Sequence, residues 1–168
     1  LTIVPFGYFY IASANQTISL PEFHINLRNS STDFIFEQVA NESITPGDKV
    51  KYNQEYSTNG FTIIQNKNST IDIAKNSKFI FDNDNSFQIL EGIARINTQT
   101  NVNVKLNESP AIELVNGQYL ITTQQIYVGQ PSNIQGVAVN TTDYVIFASN
   151  RINSLPVDRV ELQALMSN

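Results

Sequence analysis

The sequence predicts an all-β sandwich, and three observations lead there. Apolar residues recur with a period of two along most of the chain, as they do in half-buried strands. Clusters of Asn, Asp, Gly and Pro break that pattern roughly every 8–12 residues, as turns between short strands would. Only one segment, near the C-terminus, has a spacing that would also suit a helix. The 168 residues suit one domain with a sizeable core, and an apolar fraction of 41% is too high for a disordered chain.

The first stretch, Leu1–Ala12, is nearly all apolar, and the first charge is Glu22. Too short for a transmembrane helix of about 20 residues, and interrupted by Pro5 and Gly7, it reads as a strand with apolar residues on both faces. An apolar start without Met is what a mature chain would present once a signal peptide had been removed just upstream. The chain changes character near Ala14, so we expect an N-terminal extension, residues 1–14, attached to a head domain, residues 15–168.

Within the head, Phe23, Ile25 and Leu27 alternate with polar residues, as do Ile71 with Ile73, and Val102, Val104 and Leu106. Denser runs predict more deeply buried strands at Phe34–Phe36, Phe61–Ile64, Phe79–Phe81, Tyr119–Ile121 and Tyr144–Phe147. Asn59-Gly60 and Asn116-Gly117 read as type I′ hairpin turns, whose two central residues both need positive φ. Pro46-Gly47-Asp48 and the cluster Asp82–Asn85 mark further turns. In the segment Val157–Met166, Val157, Val160, Ala164 and Leu165 share a helical face, while Val160, Leu162 and Ala164 alternate as a strand. We take the strand.

Composition excludes several kinds of function. Charged residues are 15% of the chain against roughly 25% in ordinary soluble domains. The net charge is −5 and no Lys/Arg cluster occurs, so neither nucleic-acid phosphates nor an anionic membrane surface would be attracted. With no Cys, disulfides, thiolate metal sites and thiol catalysis are ruled out.

Tests for catalysis and metal binding are negative. The single His24 falls on the polar face of its strand, and no G-x-S-x-G elbow is present. Scattered acids allow a carboxylate pair for glycoside hydrolysis only in the sense that any such chain does. The run Asp82–Ser86 imitates the start of a calcium loop, but Phe87 and Ile93 stand where that loop needs Gly and Glu. We therefore expect no catalytic residue, no metal and no cofactor.

Glycosylation is the positive signal. Six N-x-[ST] sequons occur, at Asn15, Asn29, Asn41, Asn68, Asn107 and Asn140. With 21 Asn in the chain, roughly three or four would arise by chance. Most fall at predicted turns or strand ends, where a covalent N-glycan would stand in solvent.

The extension has a use beyond its own fold. A sandwich lacking one strand exposes a groove with unpaired backbone edges, and the N-terminal strand of the next molecule can fill it. Such a contact is head to tail and repeats into a filament. In one register Leu1, Ile3, Pro5, Gly7, Phe9 and Ile11 face the groove; in the other Val4, Phe6, Tyr8 and Tyr10 do. We prefer the first, which leaves the tyrosine hydroxyls outward.

In the apolar start, the Cys-free β body and the sequons, the chain resembles the subunit of archaeal thread filaments, thin glycosylated surface fibres. The resemblance implies an immunoglobulin-like, pilin-like β-sandwich joined by donor-strand complementation, similar in architecture to bacterial type 1 pilins. It also implies a secreted chain whose partners are copies of itself in a homopolymer used for adhesion or biofilm formation. The alternative is a self-contained extracellular binding module, carbohydrate-binding or receptor-like, folded with residues 1–12 inside its own sheet.

Overall fold

A computed structural model describes residues 10–12, 17–19, 31–39, 41 and 43–167. It is an all-β sandwich of two principal sheets. The larger contains eight strands in the order β17-β16-β13-β12-β9-β6-β5-β3. These are β3 (Ile35–Gln38), β5 (Thr62–Gln65), β6 (Ser69–Ile73), β9 (Ala94–Thr98), β12 (Gly117–Ile121), β13 (Ile126–Val128), β16 (Asp143–Ala148) and β17 (Arg151–Pro156). The smaller sheet has five, β4 (Glu55–Thr58), β7 (Ser77–Asn83), β8 (Ser86–Glu91), β10 (Val102–Lys105) and β11 (Ile112–Leu114), in the order β11-β10-β8-β7-β4. Every neighbouring pair in both sheets is antiparallel except β10 and β8, which run parallel. Two hairpins stand apart: β1 (Tyr10–Ala12) with β2 (Thr17–Ser19), and β14 (Ser132–Ile134) with β15 (Val137–Val139).

The chain alternates between the sheets. Because β4 pairs β7 while β5 pairs β6, and β7 pairs β8 while β6 pairs β9, the segments 55–65, 69–83 and 86–98 act as three long antiparallel strands folded over from one sheet to the other. Strands that switch sheets make the corners of such sandwiches. The bends are held by buried hydroxyls: Thr58 Oγ1 donates to the Ala74 carbonyl (3.0 Å), and Ser77 Oγ accepts from Ile93 N (3.4 Å). Gly92 turns this corner with φ +87°, and a Cβ there would collide with the Ser77 hydroxymethyl group.

The folded-over strands correct the expected turns. Asn59-Gly60 lies between β4 and β5, and Asn116-Gly117 stands where the β11–β12 connection enters β12. Each pair of strands belongs to different sheets, so neither dipeptide closes a hairpin. Asn59, Gly60 and Asn116 are not among the residues with positive φ. The type I′ turns are instead Gln135-Gly136 (φ 49° and 87°), joining β14 to β15, and Ser149-Asn150 (φ 55° and 59°), joining β16 to β17. The turn at Pro46-Gly47-Asp48 forms as expected, with Asp48 N donating to the Thr45 carbonyl and Gly47 at φ +99°. Asp82–Asn85 leads into the hairpin between β7 and β8.

Between the sheets lies one aromatic core. Phe34, Phe36, Phe79, Phe81 and Phe87 are at most 1% exposed, and their rings form a chain with Tyr56 at centroid distances of 4.8–5.9 Å. Burying each contributes about 2–3 kcal/mol. In β10 the expected alternation holds, with Val102 and Val104 inward and their neighbours partly exposed. Strand β7, expected as a deeply buried run, also buries one face only, with Phe79 and Phe81 inward and Ile80 partly exposed. In β6 the polar partners are buried as well: Thr70 and Asp72 are covered along with Ile71 and Ile73. The predicted strand around Phe23–Leu27 lies outside the described residues.

The C-terminal segment is helical, which corrects the strand we took there. Helix α1 (Arg159–Ser167) begins after Pro156 closes β17. Asp158 caps it, its Oδ1 accepting from Val160 N (2.8 Å) and Glu161 N (3.2 Å). Leu162 is fully buried against Ile93, Leu120 and Tyr127 on the outer face of the large sheet, while Val160 is exposed. A strand would have kept Val160 and Leu162 on one face; the helix separates them.

Among the described residues, no helix is long and apolar enough to cross a membrane.

Candidate functional site: an open sheet edge beside a sequon

The sandwich has two flanks where the edges of its sheets meet. On one, β11 and β17 are bridged by the β14–β15 hairpin. Ile134 and Val139 of that hairpin are buried in the common core, and Gln135 Nε2 reaches the Ala111 carbonyl at 3.3 Å. Beside it Tyr119 OH donates to the Val115 carbonyl four residues upstream (2.9 Å), the tyrosine-corner arrangement of Greek-key sandwiches. Burial pushes the Tyr119 hydroxyl pKa up.

On the opposite flank stand β3 and β4. The free side of β3 is taken by residues 47–50: Phe36 N donates to the Asp48 carbonyl, Gly47 N to the Phe36 carbonyl and Val50 N to the Phe34 carbonyl. No described strand pairs the outer side of β4. The Asn41 side chain marks its direction, since Asn41 Nδ2 donates to the Ser57 carbonyl at 3.0 Å. Thr58 O accepts from Asn76 on the β7 side. Strand parity therefore turns the backbone groups of Glu55 and Ser57 outward, away from β7.

Between this edge and the segment 41–51 runs a groove of about 560 Å³. Phe36, Ile44 and Tyr56 supply its apolar surface; Asn41, Ser43, Lys49, Lys51, Gln54 and Glu55 supply polar walls. Tyr56 OH accepts from Lys51 N (2.9 Å), tying one wall to the other. Lys49 is paired with Asp33 at 2.9 Å, and that contact raises its pKa.

Asn41 belongs to this groove and to a sequon at once. Its Oδ1 accepts from Ser43 N (2.9 Å) and Ser43 Oγ (2.7 Å), so the sequon's own third residue fixes the amide. Asn68, Asn107 and Asn140 lie elsewhere on the surface. Asn140 and Thr142 are both exposed, and so are Asn107 and Ser43. The hydroxyl residues of the other two sequons are buried, Thr70 at 6% and Ser109 at 8% exposed. Of the four described sequons, only those at Asn41 and Asn140 have an exposed hydroxyl residue, Asn41 itself being half-buried. Asn15 and Asn29 lie outside the described residues.

Of the expected donor residues, Leu1, Ile3, Pro5, Gly7 and Phe9 also lie outside the described residues. Ile11 sits in β1 directly opposite Ile18 of β2, so residues 10–12 pair locally with 17–19 across the expected boundary at residue 14.

The remaining charged groups serve the fold. Asp82 accepts from Lys105 Nζ (2.9 Å) and Ser86 Oγ (3.2 Å), so its carboxylate is already engaged by a cation. No group of three or more His, Cys, Asp or Glu that could hold a metal occurs among the described residues. The strongest electrostatic feature is a pair the sequence did not single out. Arg95 Nε and Nη2 both donate to Asp72 Oδ2, at 3.0 and 2.6 Å, within the outer face of the large sheet. Both residues are at most 3% exposed, and Asp72 Oδ1 has no partner. Desolvation outweighs the guanidinium and pushes the Asp72 pKa up to about 7. The signal was an acid inside an apolar strand, Ile71-Asp72-Ile73, opposite an arginine inside another, Ala94-Arg95-Ile96.

No protein-family model, curated protein or solved structure matches this chain.

Proposed function

We propose that the protein is a structural subunit of an extracellular surface filament, N-glycosylated and polymerising head to tail, of the kind found in archaeal threads. The open edge of β4 carries this reading. It offers outward backbone groups at Glu55 and Ser57, bordered by a groove with Phe36, Ile44 and Tyr56 along it. The charge-free stretch Leu1–Ala12 of a second copy is the strand to add there. Its backbone would continue the five-stranded ladder, and Ile3, Pro5, Phe9 and Ile11 would turn alternate side chains toward the groove. Six sequons and a surface poor in charge fit a glycan-coated fibre serving adhesion or biofilm formation.

The test blocks the edge without breaking the sandwich. Ser57→Pro removes one outward N–H and leaves the β4–β7 ladder intact, because Pro is tolerated where an edge N–H faces away from the sheet. The wild-type chain should form polymers by sedimentation, and Ser57→Pro should remain a folded monomer. A wild-type chain that stays monomeric at high concentration, or a Ser57→Pro chain that polymerises equally, defeats the reading.

The polar walls of the same groove favour a second reading, a monomeric carbohydrate-binding module. A glycan array that finds a ligand lost on Tyr56→Ala, with no polymer formed, would select it.

A further inference from the structure

Asn41 is both a sequon asparagine and the plug of the β4 edge. The atom that accepts a glycan, Nδ2, is the atom that donates to the Ser57 carbonyl at 3.0 Å. A strand adding to β4 needs that carbonyl, so it must displace Asn41. The sequon is presented for modification, with Ser43 exposed and its hydroxyl 2.7 Å from Asn41 Oδ1. We propose that Asn41 carries an N-linked glycan and that occupancy of this site closes the β4 edge to strand addition. The identity of the added strand rests on the filament reading above.

The chemistry and the geometry agree. A glycosyl donor linked through phosphate loses its anomeric C–O bond, the phosphate leaving with the electron pair. The anomeric carbon bonds to Nδ2, which gives up one of its two protons. The other proton remains, so the glycosylated amide can still donate to Ser57 O. The first sugar then stands at the mouth of the groove, one bond from the atom that caps the edge. Unmodified, Asn41 is a displaceable plug held by individual hydrogen bonds. Modified, it adds a bulky sugar that obstructs an incoming backbone. A subunit would thus carry an open or a closed acceptor edge according to one modification, while the exposed sequon at Asn140 lies on a different turn and would leave the edge unaffected.

The experiment compares the wild-type chain, Ser43→Ala and Ser43→Thr in a host that modifies N-x-[ST] sequons. Ser43→Ala destroys the sequon and keeps Asn41; Ser43→Thr preserves both. Peptide mapping should find glycan at Asn41 in the wild type and in Ser43→Thr only. Polymerisation should be about tenfold faster for Ser43→Ala, equivalent to 1.4 kcal/mol. Amide exchange at Glu55 and Ser57 should be slower in the glycan-bearing chains. In a host without the modification, any difference between the wild type and Ser43→Ala reports only the lost hydroxyl contact to Asn41 Oδ1, and the tenfold effect is the additional difference seen where the glycan is added. An unmodified Asn41 alongside a modified Asn140 overturns the proposal, as does a rate indifferent to the glycan. Failure of every chain to polymerise would defeat the filament reading; edge exchange unchanged by the glycan would defeat the gate itself.

Discussion

The two flanks of the sandwich solve the same problem in opposite ways. Where β11 and β17 end their sheets, the β14–β15 hairpin folds across and sinks Ile134 and Val139 into the common core. Where β3 and β4 end theirs, the chain covers β3 with residues 47–50 but leaves β4 facing a groove, with one side chain, Asn41, on its outward carbonyl. Unpaired edges invite association, and proteins usually blunt them. One flank is closed by apolar burial worth several kcal/mol; the other is guarded by a hydrogen bond worth about one. The difference teaches that one sandwich can close one edge by apolar burial and cover another, among the described residues, with a single polar side chain.

Substitutions on either flank would sharpen that contrast. The largest effect should come from the closed side. Ile134→Ala removes a fully buried anchor and should cost about 2–5 kcal/mol in chemical denaturation, with new binding of an apolar dye as the hairpin lifts. A stable variant without dye binding would mean the hairpin is not what closes that flank.

Between the flanks, the buried Asp72–Arg95 pair should set a pH dependence. The folded pKa of Asp72 is about 7 against an unfolded 3.8, so between those values the folded state holds a proton that the unfolded state has lost. Its contribution is fully present below about pH 4, falls as pH rises, and is gone above pH 7. Measured as wild type minus Asp72→Asn, stability should drop by up to about 1.4 kcal/mol per pH unit across that window. A flat difference would show that Asp72 ionises normally.

Smaller effects complete the comparison. Tyr119→Phe deletes the corner hydrogen bond beside the closed flank and should cost about 1 kcal/mol, read as a lowered midpoint with an unchanged m-value. Asn41→Ala, on the open flank, should lower monomer stability by about 1 kcal/mol at most, the worth of the half-exposed hydrogen bonds it breaks. A loss from Asn41→Ala as large as that from Ile134→Ala would erase the asymmetry we draw.

Much of this architecture could be read from residue patterns, and the misreadings have physical causes. The dense run at Phe79–Phe81 found β7 but overstated its burial, since Ile80 turns away from the core. Period-two alternation found β10 because it buries a single face. It missed the covered outer face of β6, since Thr70 and Asp72 look like solvent-facing residues until something lies over them. Asn-Gly pairs signal local conformation, yet at Asn59-Gly60 the chain bends between sheets instead of returning on itself. Ser149-Asn150 and Gln135-Gly136 each carry one residue suited to positive φ, Asn150 and Gly136, but begin with Ser and Gln, which do not signal a type I′ turn. At the C-terminus, Asp158 as a cap after Pro156 was the local helix signal, and alternation at Val160 and Leu162 masked it. The candidate edge was not legible at all. Nothing in Glu55–Thr58 says that one side lacks a neighbour among the described residues; only the pairing of the other described strands reveals it.

The three long strands that pass from one sheet into the other bear on how the molecule would carry load. They join the two leaves as a spine joins the covers of a book. In a sandwich whose sheets meet only through side chains, a pull that slides one sheet over the other is resisted by packing and by flexible loops. Here the same pull must straighten three bent strands together and break the hydroxyl contacts of Thr58 and Ser77 at their corners. Shear on such a body is opposed by covalent backbone running through the fold, a mechanical reserve that the proposed filament subunit would draw on under tension.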